Sequence, residues 1–138
     1  GNGDLKAKIE DKNRFNKLEN IKFLDFQDQK SLINFFNYSE ILVLPSELGD
    51  THGNIAAEAV QFGCALILSN MVGLRTECID NKIGLVFDIE KKNELVDHLR
   101  LLTNENKILA NFQKNAFEFG KTKTPEHAAN LIAQSLKL

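Results

Sequence analysis

Asp50 and Glu58 stand eight positions apart, with Gly53 and a run of small apolar residues between them. The stretch Ser46-Glu47-Leu48-Gly49-Asp50-Thr51-His52-Gly53 is polar and Gly-containing, which makes it a loop, and Asn54 to Phe62 supplies helix formers ending at Gly63. A helix that begins near Asn54 directs free backbone N–H groups and the positive end of its dipole back at the loop. That is an anion-binding position, and Gly53 would let a ligand approach the backbone with no Cβ in the way. The diphosphate of a nucleotide sugar is an anion of this kind. Glu58 lies among Ala56, Ala57, Ala59 and Val60, and a partly buried carboxylate requires hydrogen-bond donors. Vicinal ribose hydroxyls would satisfy both of its oxygens, as they do for the acidic residue of dinucleotide folds. Without context, a loop acid and a helix acid are more often solvated surface residues. A lone His52 is likewise more often a loop histidine than a catalytic base.

The elements that must position these groups can be read from periodicity. Leu5, Ile9, Phe15 and Leu18 among Lys, Glu and Asn predict an amphipathic helix, followed by a strand over Ile21 to Leu24. Asp28 can cap a second helix with Leu32, Ile33, Phe35 and Phe36 on its apolar face; Ile41 to Leu44 is a strand stopped by Pro45. Ala65 to Ser69 and Gly84 to Phe87 predict two more strands, with a short helix over Leu74 to Asp80 between them. From Asp88 the pattern is helical: Asn93 to Leu102, Asn104 to Phe119, and a last helix capped by Thr124 with Pro125 at its first position. Apolar runs without alternation belong to strands covered on both faces. The expectation is therefore one α/β domain over residues 1–138, a Rossmann-like parallel sheet of four strands flanked by helices. In such a sheet, ligands sit outside the carboxyl ends of the strands, so the loops after Leu24, Leu44 and Ser69 hold the chemistry.

Composition narrows the function classes. The 138 residues carry 17 basic and 19 acidic side chains, which leaves no footprint for a phosphate polymer and argues against nucleic acid. Cys64 and Cys78 lack CxxC spacing and any Cys/His cluster, so they read as packing residues in a reducing cytosol. With no Asp-x-Asp pair beside Asp50 and Glu58, no metal site and no cofactor are expected. No apolar run approaches the roughly 20 residues needed to span a bilayer. The opening Gly1-Asn2-Gly3 is a turn that normally follows a strand, so further sequence is expected upstream.

Leu44-Pro45-Ser46, then Asp50-Thr51-His52-Gly53-Asn54-Ile55-Ala56-Ala57-Glu58-Ala59-Val60, then Phe62-Gly63-Cys64-Ala65-Leu66-Ile67-Leu68-Ser69 and Val72-Gly73, resemble in order and spacing the signature of group 1, family 4 glycosyltransferases. Gly1 to Leu5, Asn20 to Phe26 and Asn81 to Phe87 resemble further motifs of that family, so the likeness covers nearly the whole chain. It implies the C-terminal, donor-binding half of a retaining GT-B enzyme, truncated at its first strands. The donor would be a UDP- or GDP-sugar. Asp50 would be the catalytic position, reaching hydroxyls of the transferred sugar. Glu58 would hold the ribose, Thr51, His52, Gly53, Asn54 and Ile55 would line the sugar and diphosphate, and Gln27 would meet the nucleobase through its backbone.

The implied partners are a missing N-terminal domain and an acceptor, lipid-linked or saccharide. The implied setting is bacterial surface polysaccharide or glycoconjugate synthesis, in the cytoplasm or at the inner face of its membrane. Four positions depart from the family pattern: Asp50 replaces the commoner Glu, His52 an aromatic, Asp25 a Gly and Ala65 a Pro. The Arg and Lys that the family places on the first strand-helix unit would precede residue 1. The competing readings are a GT-B epimerase or phosphorylase half-domain, and a non-catalytic Rossmann-like binding or signalling module.

Overall fold

Strands that are apolar at every position pair only where both faces can be covered, and the computed structural model satisfies that requirement with a three-stranded parallel sheet. It describes residues 6–16, 20–50, 52–91, 93–124 and 133–134. In chain order the elements are α1 (Lys6–Asn16), α2 (Gln29–Tyr38), β1 (Ile41–Leu44), α3 (Asn54–Ala59), β2 (Ala65–Ser69), α4 (Arg75–Asp80), β3 (Gly84–Phe87), α5 (Glu94–Asn104) and α6 (Asn106–Gly120). The chain divides into two compact units, Gly1–Phe35 and Phe36–Leu138.

In the first unit, the Ser31 N–H donates to Asp28 Oδ1 at 2.8 Å, the N-terminal cap expected for α2. That bond holds the Asp28 carboxyl below its ordinary range. The strand expected over Ile21 to Leu24 does not form, and residues 21–28 have no regular structure. Ile21 and Leu24 remain 43% and 42% exposed and Phe26 86% exposed. An apolar run that does not bury its side chains lacks the gain that would fix its backbone in a ladder.

The second unit holds the sheet, in the order β1-β2-β3 with both pairs parallel. Every residue of the central β2 is buried. Alternation divides the core in two. Leu42, Leu44, Leu66, Leu68 and Val86 pack on one face with Ala56, Val60, Val72, Leu74, Cys78 and Ala116. Ile41, Val43, Ala65, Ile67, Leu85 and Phe87 pack on the other with Leu99, Leu102, Leu109 and Phe112. Helix α6 serves both faces, through Leu109 and Phe112 on one and Ala116 on the other. The α/β Rossmann-like architecture is thus present with three strands among the described residues, not four. The helix expected over Asn54 to Phe62 is α3 continued by one 3-10 turn, Val60–Phe62, and it stops at Gly63 with φ 79° as its composition predicts. The expected helix after Thr124 falls mostly on residues outside those described.

Cys64 and Cys78 are fully buried and unpaired with each other. Burial pushes the Cys64 thiol up, and pushes that of Cys78 up to about 12. Neither cysteine in the folded protein should react with a thiol-specific disulfide reagent at pH 8, and both should react in denaturant; modification of Cys78 in the native state would contradict the packing. Because the folded pKa is raised, the unfolded chain ionises first. The contribution of Cys78 to stability is therefore complete below its ordinary pKa of 9.0 and is lost as pH rises toward 12.

Candidate functional site

The loop between β1 and α3 is fastened to the turn after β2 at both of its ends. At the near end, the Ser69 hydroxyl donates to the Ser46 carbonyl at 2.7 Å and accepts from the Met71 N–H at 3.3 Å. At the far end, the Asp50 N–H donates to the Met71 carbonyl at 3.1 Å, and the Gly73 N–H to the Asp50 carbonyl at 2.7 Å. Asp50 and Val72 thereby form an isolated parallel bridge beyond the ends of β1 and β2. The loop is an extension of the sheet and not a free excursion from it.

The Asp50 side chain then organises the next turn. Its Oδ1 accepts the N–H of Gly53 at 2.8 Å and that of His52 at 3.3 Å. A carboxylate receiving two backbone N–H groups fixes the entry into α3. Gly53 is buried in the left-handed region, with φ 71° and ψ 45°, and its carbonyl accepts the N–H groups of Ala56 and Ala57 at 2.9 and 3.0 Å. Among the described residues, the N–H groups of Asn54 and Ile55 have no acceptor, so they are the donors this helix start offers outward.

Helix α3 is locked by small side chains. Ala56 and Ala59 are completely buried, Ala56 in the cluster against the sheet, while Glu58 is half-buried. No hydrogen bond or ion pair engages the Glu58 carboxylate among the described residues. An acid on an alanine-packed helix, with no donor engaging it among the described residues, can accept hydrogen bonds from a polyhydroxyl ligand.

The sequence profile of the family described as glycosyl transferases group 1 matches residues 1–119. The chain belongs to this family. The described fold agrees: sucrose-phosphate synthase from Thermosynechococcus elongatus superimposes with a TM-score of 0.77 at 22% identity, over 94% of this chain and 33% of that one. An uncharacterized 41.2 kDa protein in the cps region of Klebsiella pneumoniae is 28% identical over 79 residues, 57% of this chain. The group 1 chain spans 22% of the length of that curated relative.

In this glycosyltransferase domain Asp50, His52, Gly53, Asn54, Ile55 and Glu58 are brought together on one loop and helix start beyond the carboxyl end of β1. Thr51 lies outside the described residues. Gln27 belongs to the first unit, where its side-chain amide donates to the carbonyls of Asp25 at 3.0 Å and Phe26 at 3.3 Å. Among the described residues, no three His, Cys, Asp or Glu side chains group as a metal site, and no helix is long and apolar enough to cross a membrane. Ser69 is the residue that sequence reasoning passed over. It is fully buried yet polar, at the carboxyl end of an otherwise apolar strand. Such a hydroxyl has to be spent on a backbone partner, and the one available is the loop that carries Asp50.

Proposed function

We propose that the domain is the donor-binding part of a retaining, family 4 glycosyltransferase of GT-B architecture. It would transfer a hexosyl unit from a UDP- or GDP-sugar to an acceptor bound on a separate, N-terminal domain. The observation that carries this reading is the N–H pair of Asn54 and Ile55, without an acceptor among the described residues, at a glycine-opened helix start between Asp50 and Glu58. Amides of that kind suit a diphosphate, an acid in α3 suits the ribose hydroxyls, and an acid in the preceding loop suits the transferred sugar. In this proposal the acceptor oxygen bonds to the anomeric carbon on the face from which the diphosphate departs. The leaving diphosphate takes the acceptor's proton, and the helix start stabilises its charge. A relative in the cps region supports a role in bacterial surface polysaccharide synthesis.

Calorimetric titration with UDP and GDP tests the reading. One of the two should bind, and Glu58→Gln should weaken it by about 10- to 100-fold. An amide cannot accept two ribose hydroxyls, and charge-assisted bonds contribute about 1.5–3 kcal/mol. Unchanged affinity in Glu58→Gln, with the fold intact by circular dichroism, would take Glu58 out of the site. Binding of neither nucleotide would reject the donor-domain reading altogether.

A further inference from the structure

Beside the Asp50–Gly53 turn is a hollow of about 190 Å³ lined by His52, Ala57, Gly73, Leu74, Glu77 and Lys123. Four separate parts of the chain build it: the loop after β1, helix α3, the start of α4, and the 3-10 turn Lys121–Lys123 that follows α6. Two of its members fall outside the pattern described above. His52 stands where the family resemblance places an aromatic, and Lys123 lies beyond the residues 1–119 that the family profile matches.

The polar groups are held but not used up. The Lys123 ammonium sits 4.8 Å from the centre of the Phe119 ring, a cation–π contact that fixes the side chain, and its N–H donors make no hydrogen bond or ion pair among the described residues. Glu77 is half-buried in the first turn of α4, and its carboxylate has no hydrogen bond or ion pair among the described residues. Ala57 and Leu74 supply apolar lining. A lining that combines donors, an acceptor and apolar groups suits a sugar ring, whose edges carry hydroxyls and whose face carries C–H groups. The hollow is large enough to take up ordered water or part of a small polar ligand.

We infer that this hollow is a monosaccharide subsite in which Lys123 and Glu77, beside His52, hold the hydroxyls of one sugar ring and so select which sugar is accepted. The inference rests on the donor-domain reading above and extends it to Glu77 and Lys123, which lie outside the motif stretches named for the resemblance. The ring can belong to the donor or to the acceptor, and the chemistry of the contact is the same for both.

The test uses the protein at its natural length, with calorimetry and saturation-transfer NMR. The ligands are UDP and GDP, then UDP-glucose, UDP-galactose, UDP-N-acetylglucosamine and GDP-mannose, then the methyl glycosides of the same sugars. For the sugar that is accepted, Lys123→Ala and Glu77→Gln should each weaken the sugar-bearing ligand about tenfold, the loss expected of one charge-assisted hydrogen bond. Both should leave the bare nucleotide unaffected, and Lys123→Arg should recover most of the loss. A defect confined to the nucleotide sugars makes the ring the donor's, and one confined to the methyl glycosides makes it the acceptor's; both support the subsite. Unchanged sugar binding in the two variants overturns it, as does an equal loss of bare nucleotide, or a wild type in which no sugar of the panel adds affinity or receives saturation. A wild type that binds neither UDP nor GDP fails at the earlier step, before any variant is made, and takes the donor-domain reading with it.

Discussion

Gly53→Ala is expected to destabilise the protein by about 2–5 kcal/mol and to abolish nucleotide binding in whatever fraction stays folded. Two costs add. A side chain at φ 71° is held in the left-handed region, at roughly 1–2 kcal/mol for an L-residue. The new Cβ would also lie 2.7 Å from Val72 Cγ1 and 3.6 Å from Leu74 Cβ, an overpacking that costs about 1–3 kcal/mol in a tight core. Val72 is fully buried and cannot withdraw, because its neighbours Met71 and Gly73 are the two residues bonded to Asp50. Relief must therefore come from the loop, which shifts the amides of Asn54 and Ile55 away from the ligand. Against a total stability of about 5–15 kcal/mol, thermal unfolding will read the first effect, and UDP or GDP titration the second. A variant as stable as the parent would show that the glycine is not held in this conformation.

The second large effect belongs to Asp50, and a pair of substitutions separates its two duties. Its Oδ1 already accepts the N–H groups of Gly53 and His52, so the residue holds its own loop before it meets any substrate. Asp50→Asn keeps an acceptor oxygen in place and removes the charge; Asp50→Ala removes both. In the protein at its natural length, Asp50→Asn should lower sugar transfer by about 100-fold, the scale of one electrostatic contact in a closed site, with nucleotide affinity nearly unchanged. Asp50→Ala should lower both, because two N–H groups at the start of α3 lose their acceptor, at about 1.5–3 kcal/mol. Equal damage to nucleotide affinity from Asn and Ala would mean that Asp50 acts only by holding the loop. Transfer unaffected by Asn would remove it from the sugar.

Ser69 and the Met71–Gly73 turn explain why these effects are coupled. The site is carried by the loop after β1, yet its shape is set by residues that follow β2, about twenty positions later in the chain. A change at Val72 reaches Asp50 through the hydrogen bonds of its neighbours Met71 and Gly73, and one at Ser69 through the Met71 N–H and then the Met71 carbonyl. The resemblance to the family includes Val72-Gly73 in its motif without assigning it a role, and the parallel bridge to Asp50 supplies a physical one.

What the sequence determined by itself was what depends on local rules. Apolar runs at Ile41 to Leu44 and Ala65 to Leu68 suit strands covered on both faces, and both lie in strands of one parallel sheet. Asp28 caps a helix because its carboxylate reaches the backbone three residues on. Gly63 ends one because it accepts φ 79°. The loop-to-helix placement of Asp50, Gly53 and Glu58 was legible for the same reason, since spacing along one short segment fixes it.

Tertiary structure decided what depends on distant partners. Ile21 to Leu24 has the composition of a strand, but composition does not state whether cover is available, and Ile21 and Leu24 stay exposed. The second acceptor role of Asp50 could not be read because a carboxylate in a loop has many possible donors, and only the folded turn selects Gly53 and His52. Ser69 was silent for a similar reason, being one hydroxyl whose partner, Ser46, lies 23 residues away. The gathering of His52, Glu77 and Lys123 around one hollow spans still longer separations, and no local pattern encodes a meeting that is made by packing α3, α4 and the end of α6 around the same sheet.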